Sequence, residues 1–177
     1  VKYEKKLNYE CSSLVCQKKK VLKLLELFEF PTTDRKNVLR TGQKTYEGFA
    51  LGKIHTRGAA RQGPMLSLLT QKPKYREIYL NTIKLMKLYD KNFKFTTIQF
   101  NKNQRTAKHK DGNNVGESYI IGLGNYTGGE LIVFDEQDKN PKKINIKNKF
   151  FKFNGSKRFH ETAPFHGQRY TLVFFAN

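Results

Sequence analysis

The sequence predicts an α+β domain in which two amphipathic helices precede a succession of short strands. The β half is expected to fold as a sandwich or jelly roll, with the helices packed on one sheet. Three observations carry this. Apolar residues recur at helical spacing in two segments of the first half. From about residue 94 the pattern changes to short apolar runs separated by turn signals. A chain of 177 residues with 14 Phe and 9 Tyr can also bury one core without disulfides or a structural metal.

The first helix is read over residues 17–30, where Val21, Leu24, Leu25 and Phe28 share a face and Pro31 ends the run. Residues 32–70 are rich in Gly, Arg, Lys and Thr and read as short strands and mobile loops. The second helix starts at Pro73, with Tyr75, Tyr79, Thr82, Met86 and Tyr89 on one face and Ile78 and Ile83 beside it. The strands follow as FKFTTIQFN, ESYIIGLG, GELIVFD, KKINI, KFFKFN and RYTLVFF. Turns fall between them at residues 111–114, at Thr127-Gly128-Gly129, at Asn140-Pro141 and at Asn154-Gly155. The expectation is a single domain spanning 1–177, with 1–93 as its helical and loop part and 94–177 as its β core.

The net charge is +19, from 34 basic and 15 acidic residues. Lys far outnumbers Arg, as a coding bias would produce, but such a bias does not remove acids. The deficit of Asp and Glu therefore points to a polyanionic partner, nucleic acid first and an acidic peptide as the alternative. No run approaches the ~20 apolar residues of a membrane span, and VKYEKKLNYE carries no apolar leader core. Cys11 and Cys16 read as free thiols in a reducing intracellular compartment, nuclear or nucleic-acid-associated, with a local disulfide as the alternative. Neither has the neighbours a zinc site needs.

The residues that carry chemistry lie in the β half. In His109-Lys110-Asp111, an extended backbone turns the imidazole and the carboxylate to one face. Alone, H-x-D is common by chance. His160, in KRFHET, supplies a second imidazole. Two His and one carboxylate with open positions opposite form the facial triad of non-haem Fe(II). His166, beside Pro164 and Gly167, reads as a loop residue, and His55 as an exposed one. A fold-back at 164–167 is expected to set His160 and Arg169 on neighbouring antiparallel strands. Arg169 and Thr171 share a face with Val173. An inward guanidinium is costly unless an anion meets it. The distal carboxylate of a dicarboxylate would do so bidentately, and a structural salt bridge is the alternative.

The motifs H-K-D, GGELIVFD and FNGSKRFHETAPFHGQRYTLVFF, over residues 94–177, together resemble the 2-oxoglutarate and Fe(II)-dependent dioxygenase superfamily. That resemblance implies a double-stranded β-helix, the jelly roll of the family. It implies catalytic Fe(II) on His109, Asp111 and His160, and 2-oxoglutarate on Arg169 and Thr171 with Tyr119 and Asn103 as helpers. It further implies O2 as co-substrate and ascorbate as an accessory reductant. The reaction would oxidise 2-oxoglutarate to succinate and CO2 while hydroxylating a C–H bond. The Gly128-Gly129-Glu130-Leu131 turn resembles one found in prolyl hydroxylase relatives. The spacing and the Arg anchor look most like the Tet/JBP branch, which oxidises 5-methylpyrimidines in DNA.

The implied function is thus a DNA-base oxygenase. A prolyl- or lysyl-type protein hydroxylase is the alternative, and a non-enzymatic nucleic-acid-binding domain the third reading. Residues 40–64 are expected as a mobile flap beside the iron, hinged at Gly42, Gly48, Gly52, Gly58 and Gly63 and charged by Lys53, Arg57 and Arg61. Tyr46, Phe49 or His55 is expected to stack on the base.

Overall fold

The computed structural model describes residues 7–54 and 65–177. They form two compact units, the chain up to Phe28 with Leu68–Phe93, and Glu29–Ser67 with Lys94–Asn177. His55, Arg57, Gly58, Arg61 and Gly63 lie outside the described residues.

The first unit is helical. Helix α1 (Leu14–Leu27) opens at Ser13, whose hydroxyl accepts from the Cys16 N–H at 3.1 Å and so satisfies one of the unpaired donors of the first turn. It buries Val21, Leu24 and Leu25 as the spacing predicts, together with Gln17 and Lys20. Gln17 Nε2 donates to the Asn81 carbonyl at 2.8 Å, and Lys20 Nζ to the Tyr9 carbonyl at 2.7 Å, so both buried side chains have a partner for a donor, while Gln17 Oε1 makes no hydrogen bond. After the single turn of α2 (Leu68–Gln71), α3 (Pro73–Tyr89) begins with proline in its first turn, where no N–H is needed. It buries Ile78, Thr82 and Met86, as the predicted face has them, together with Leu85, while the tyrosines of that face are not among its buried residues. Tyrosines tend to the rim, where the phenol stays wet, and Tyr89 is 44% exposed. Cys11 and Cys16 form a disulfide, which corrects the expectation of free thiols. The turn into α1 brings their Cα atoms to 5.6 Å, within bridging range. Among the described residues no helix is long and apolar enough to cross a membrane.

The second unit is built on β1 (Thr32–Thr33), β2 (Tyr46–Ile54), β3 (Met65–Leu66), β4 (Thr97–Lys102), β5 (Val115–Leu123), β6 (Tyr126–Gly128), β7 (Leu131–Val133), β8 (Lys142–Ile144), β9 (Phe151–Phe153), β10 (His160–Thr162), β11 (Phe165–Gly167) and β12 (Tyr170–Ala176). The larger sheet runs β1-β2-β4-β12-β5-β9, with β3 paired to β2. A smaller sheet runs β10-β7-β8, and β11 pairs with β6. The pairings between these strands are antiparallel.

The central strands of the larger sheet are buried on both faces, which is why they read as near-continuous apolar runs. Phe49, Leu51, Ile98, Phe100, Ile121, Leu172 and Phe174 point to one face. On the other, Ile120 and Val173 meet Leu131, Val133, Ile146 and Phe153 in the interior cluster. Strand β2 corrects the reading of 32–70 as short strands and loops, and residues 46–54 are no flap. Its glycines hid it. A Cβ at Gly48 would stand 2.9 Å from the Phe100 carbonyl, and one at Gly52 would stand closer still to that of Thr96. Both are sites of close backbone approach in a paired strand. Phe49 stacks on Phe100 at 4.8 Å inside the core, so it does not meet a base.

Candidate active site

His109 lies in the extended stretch between β4 and β5. It pairs across an isolated antiparallel bridge with His160, the first residue of β10. Each backbone N–H of the pair donates to the other's carbonyl at 3.0 Å. Directly opposed residues send their side chains to the same face, and the two rings stand 4.3 Å apart. The Asp111 N–H donates to the Gly155 carbonyl at 2.9 Å, which turns the carboxylate back onto the rings. Its Oδ1 is 3.3 Å from His109 Nε2 and its Oδ2 3.3 Å from His160 Nε2. The three ligand atoms lie within 4.8 Å of one another.

The backbone also decides which ring nitrogen is available. His109 Nδ1 is 2.7 Å from the Ala107 carbonyl and His160 Nδ1 3.0 Å from the Arg158 carbonyl. A carbonyl only accepts, so each ring keeps a proton on Nδ1 and turns Nε2 toward Asp111, where it donates to the carboxylate when protonated and can ligate a cation when not. Burial disfavours the charged carboxylate, but the hydrogen bonds and charge of His109 and His160 outweigh it. They hold the Asp111 carboxyl well below the usual carboxylate range. A Cβ at Gly155 would stand 3.2 Å from Asp111 Oδ2 and 3.3 Å from His160 Cε1, so glycine keeps that side of the cluster open. Two imidazole nitrogens and a carboxylate converging in this way fit a divalent cation that takes N and O ligands, Fe(II) among them.

Arg169 lines the same cavity and is 3% exposed. Its Nη2 donates to the Gly129 carbonyl at 2.9 Å, and its Nη1 reaches the Gln104 carbonyl at 3.4 Å. Among the described residues no carboxylate forms an ion pair with it. Its Nε makes no hydrogen bond, and neither does the buried Tyr126 hydroxyl. Burial pushes the guanidinium down and the phenol up, each opposed by the charge of the other. A buried cation that lines a cavity and has no carboxylate partner among the described residues is what a bound carboxylate satisfies. The residues at this end therefore fit 2-oxoglutarate.

No protein-family model matches this sequence, and no curated protein sequence matches it. In structure the chain is similar to an oxidoreductase of the 2OG-Fe(II) oxygenase family from Burkholderia pseudomallei, with TM-score 0.60 and 16% identity over 89% of this chain and 76% of that one. It is similar to NgTET1 in complex with 5mC DNA, with TM-score 0.51 and 15% identity over 73% of this chain and 60% of that one. A prolyl hydroxylase from Trichoplax adhaerens, in complex with a hypoxia inducible factor peptide fragment, gives TM-score 0.50 and 14% identity over 92% and 76%. The chain has the 2OG-Fe(II) oxygenase fold. The larger and smaller sheets are thus the two faces of a double-stranded β-helix.

Within that oxygenase fold the other predicted residues fall as follows. Thr171 faces the cavity, and its Oγ1 accepts from Asn101 Nδ2 at 3.1 Å. Tyr119 does not face it. Period-two alternation sends the neighbouring Ile120 to the cavity, while Tyr119, opposite Phe174, packs edge-on against Phe150. Asn103 is exposed at the end of β4 with φ +50°. Its Oδ1 accepts from the Arg169 N–H at 2.7 Å, so it fixes the backbone of the anchor from outside the cavity. His160 and Arg169 share the cavity without lying on neighbouring strands. β10 pairs with β7, and the expected fold-back is strand β11, paired with β6, with His166 exposed on it.

Sequence reasoning missed Arg35, Asn101 and Tyr126, and missed that Gly129 serves the anchor. Asn101 had a signal, since Gln99 and Asn101 are polar residues on one face of an apolar strand. Arg35 had none, because its partner is Asp111, far along the chain.

Proposed function

We propose that this chain is a 2-oxoglutarate- and Fe(II)-dependent dioxygenase. The observation that carries the reading is a His–Asp–His cluster and a buried guanidinium with an unused donor lining one cavity. His109, Asp111 and His160 would hold the metal, and Arg169 with Thr171 the distal carboxylate of 2-oxoglutarate. When bound, Fe(II) with 2-oxoglutarate and O2 supplies the oxidation of a substrate C–H to C–OH, with succinate and CO2 released. The chain's own residues orient and enclose. Ala107 and Arg158 lock the ring tautomers, and Ile120, Leu131 and Phe153 give the cavity an apolar wall. Protein reconstituted with Fe(II) and ascorbate should form succinate from 2-oxoglutarate. A yield equal to that of His160→Ala, with every substrate tried, would sink the reading.

For the substrate we propose a 5-methylpyrimidine base in DNA. The net charge of +19 supports a polyanion. The metal-ligand segments are themselves flanked by exposed cations, Lys108 and Lys110 around His109, and Lys157 and Arg158 before His160. Each phosphate contact would release counterions, and the target base would leave the stack at a cost of a few kcal/mol. The fold is compatible with either class, since one similar structure holds 5mC DNA and another a peptide. Mass spectrometry of methylated DNA, RNA and acidic peptides after turnover decides. Oxidised 5-methylcytosine or thymine, dependent on both Fe(II) and 2-oxoglutarate, is the expected product. A peptide that gains one oxygen while DNA stays unchanged replaces this reading with a protein hydroxylase.

A further inference from the structure

Arg35 lies between β1 and the single 3-10 turn Lys36–Val38, well removed in sequence from both metal-ligand segments. Its Nη2 donates to Asp111 Oδ1 at 2.7 Å, and its Nε donates to Asn37 Oδ1 at 3.0 Å. The guanidinium is therefore held at two points. The turn beneath it is tied in turn to the segment that carries the first histidine. The Val38 carbonyl accepts from the Ala107 N–H at 3.0 Å and from Gln104 Nε2 at 3.0 Å, and the Ala107 carbonyl accepts from His109 Nδ1. One short segment thus braces both the carboxylate and the first imidazole.

Resting on the reading of this cluster as an iron site, we propose that Arg35 is a positioning residue for the metal. It engages Oδ1 of Asp111, which also faces His109 Nε2 at 3.3 Å, and so leaves Oδ2, 3.3 Å from His160 Nε2, as the oxygen free of Arg35 for the cation to take. Two effects of Arg35 oppose each other. Its positive charge repels a dication, which weakens binding. Its hydrogen bond removes the rotational freedom of the carboxylate and satisfies the oxygen that does not coordinate, which strengthens binding. The Arg35 side chain is 38% exposed, so solvent screens the repulsion. The hydrogen bond to a carboxylate only 13% exposed is screened much less. Orientation therefore wins, and partners of this kind typically matter by about 10- to 100-fold in metal affinity.

The test is Mn(II) binding to the metal-free full chain, followed by the EPR signal of free Mn(II), for wild type, Arg35→Ala, Arg35→Lys and Asn37→Ala. Thermal melts of each protein exclude unfolding, and Arg35→Lys and Asn37→Ala keep the test alive if Arg35→Ala does not fold. Arg35→Ala should weaken Mn(II) binding by about 10- to 100-fold. Arg35→Lys keeps the charge but not the two-point hold and should fall between the two. Asn37→Ala frees the guanidinium and should weaken binding by a smaller factor. Co(II) absorption should also change in Arg35→Ala, because the coordination of Asp111 changes. Unchanged or tighter Mn(II) binding in a folded Arg35→Ala overturns the proposal and leaves the iron site standing. Failure of the wild type to bind Mn(II) with one-to-one stoichiometry overturns the iron site itself, and this proposal with it.

Discussion

The two ends of the cavity are prepared in opposite ways. At the His–Asp–His end, the side chains are held by hydrogen bonds. Both Nδ1 atoms face carbonyls, and Asp111 Oδ1 is bonded by Arg35. What remains converges on one point, with spacing set by backbone pairing across the His109–His160 bridge. At the Arg169 end the preparation is spatial. The guanidinium occupies the volume that a side chain at position 129 would fill, and one of its donors is left over. The first end is therefore specified chiefly by hydrogen bonds, although an added Cβ at Gly155 would crowd it. The second is specified by volume and should be sensitive to a single methyl group.

Removing a ligand is the most damaging change. His160→Ala deletes one of the three convergent atoms, and both Mn(II) binding and succinate formation should be lost; retained stoichiometric binding would show that the cluster is not the metal site. Next comes Arg169→Ala. Each hydrogen bond from a charged group contributes about 1.5–3 kcal/mol, so the KM for 2-oxoglutarate should rise roughly 10- to 100-fold. Mn(II) affinity should not move, because the anchor touches no ligand. Coupled losses of metal and 2-oxoglutarate would mean that the two ends are not independent.

Gly129→Ala separates the two modes of preparation more sharply. The new Cβ would stand 2.6 Å from Arg169 Nε and 2.9 Å from its Cδ, on a backbone with φ +67°. Overpacking of this kind costs about 1–3 kcal/mol, and here the guanidinium is what must give way. The KM for 2-oxoglutarate should rise roughly tenfold with Mn(II) affinity unchanged. An unchanged KM would mean that the space above Gly129 does not set the anchor.

The contrast also explains what could be seen in the sequence. His109, Asp111 and His160 were legible because extended geometry converts a spacing of two into a shared face and the ligand types are chemically narrow. Arg169 and Thr171 were legible because period-two alternation in RYTLVFF sets them apart from Tyr170, Leu172 and Phe174. The same alternation was available for Tyr119 and argued against it, since Ile120 is the residue facing Val173 across the ladder. Arg35 and Tyr126 were not legible, since each acquires its neighbour only through long-range pairing. Strand β2 was hidden because Gly48 and Gly52, which read as loop residues, are there to admit a neighbouring backbone. The Cys11–Cys16 bridge stood only as the alternative, because sequence spacing does not say how closely a turn will bring two Cα atoms.

The smallest expected effect tests whether the anchor's backbone matters as well as its volume. Asn103 stands outside the cavity, yet its Oδ1 accepts from the Arg169 N–H at 2.7 Å and its own N–H donates to the Arg169 carbonyl at 2.7 Å. Only the first of these is lost when the side chain is removed. Asn103 also sits at φ +50°, where asparagine is tolerated and alanine is strained by about 1–2 kcal/mol. Asn103→Gly keeps the backbone easy and removes the bond from the Arg169 N–H together with the exposed one that Nδ2 donates to Gln168 Oε1 at 2.9 Å, each worth about 0.5–1.5 kcal/mol or less. The KM for 2-oxoglutarate should then rise by less than about tenfold. Asn103→Ala adds the strain and should lower the melting temperature further than Asn103→Gly does. If instead the two variants melt together and both leave KM untouched, the backbone of Arg169 is held by its sheet neighbours alone. The anchor would then depend on the space above Gly129 and on the two carbonyls that its guanidinium meets.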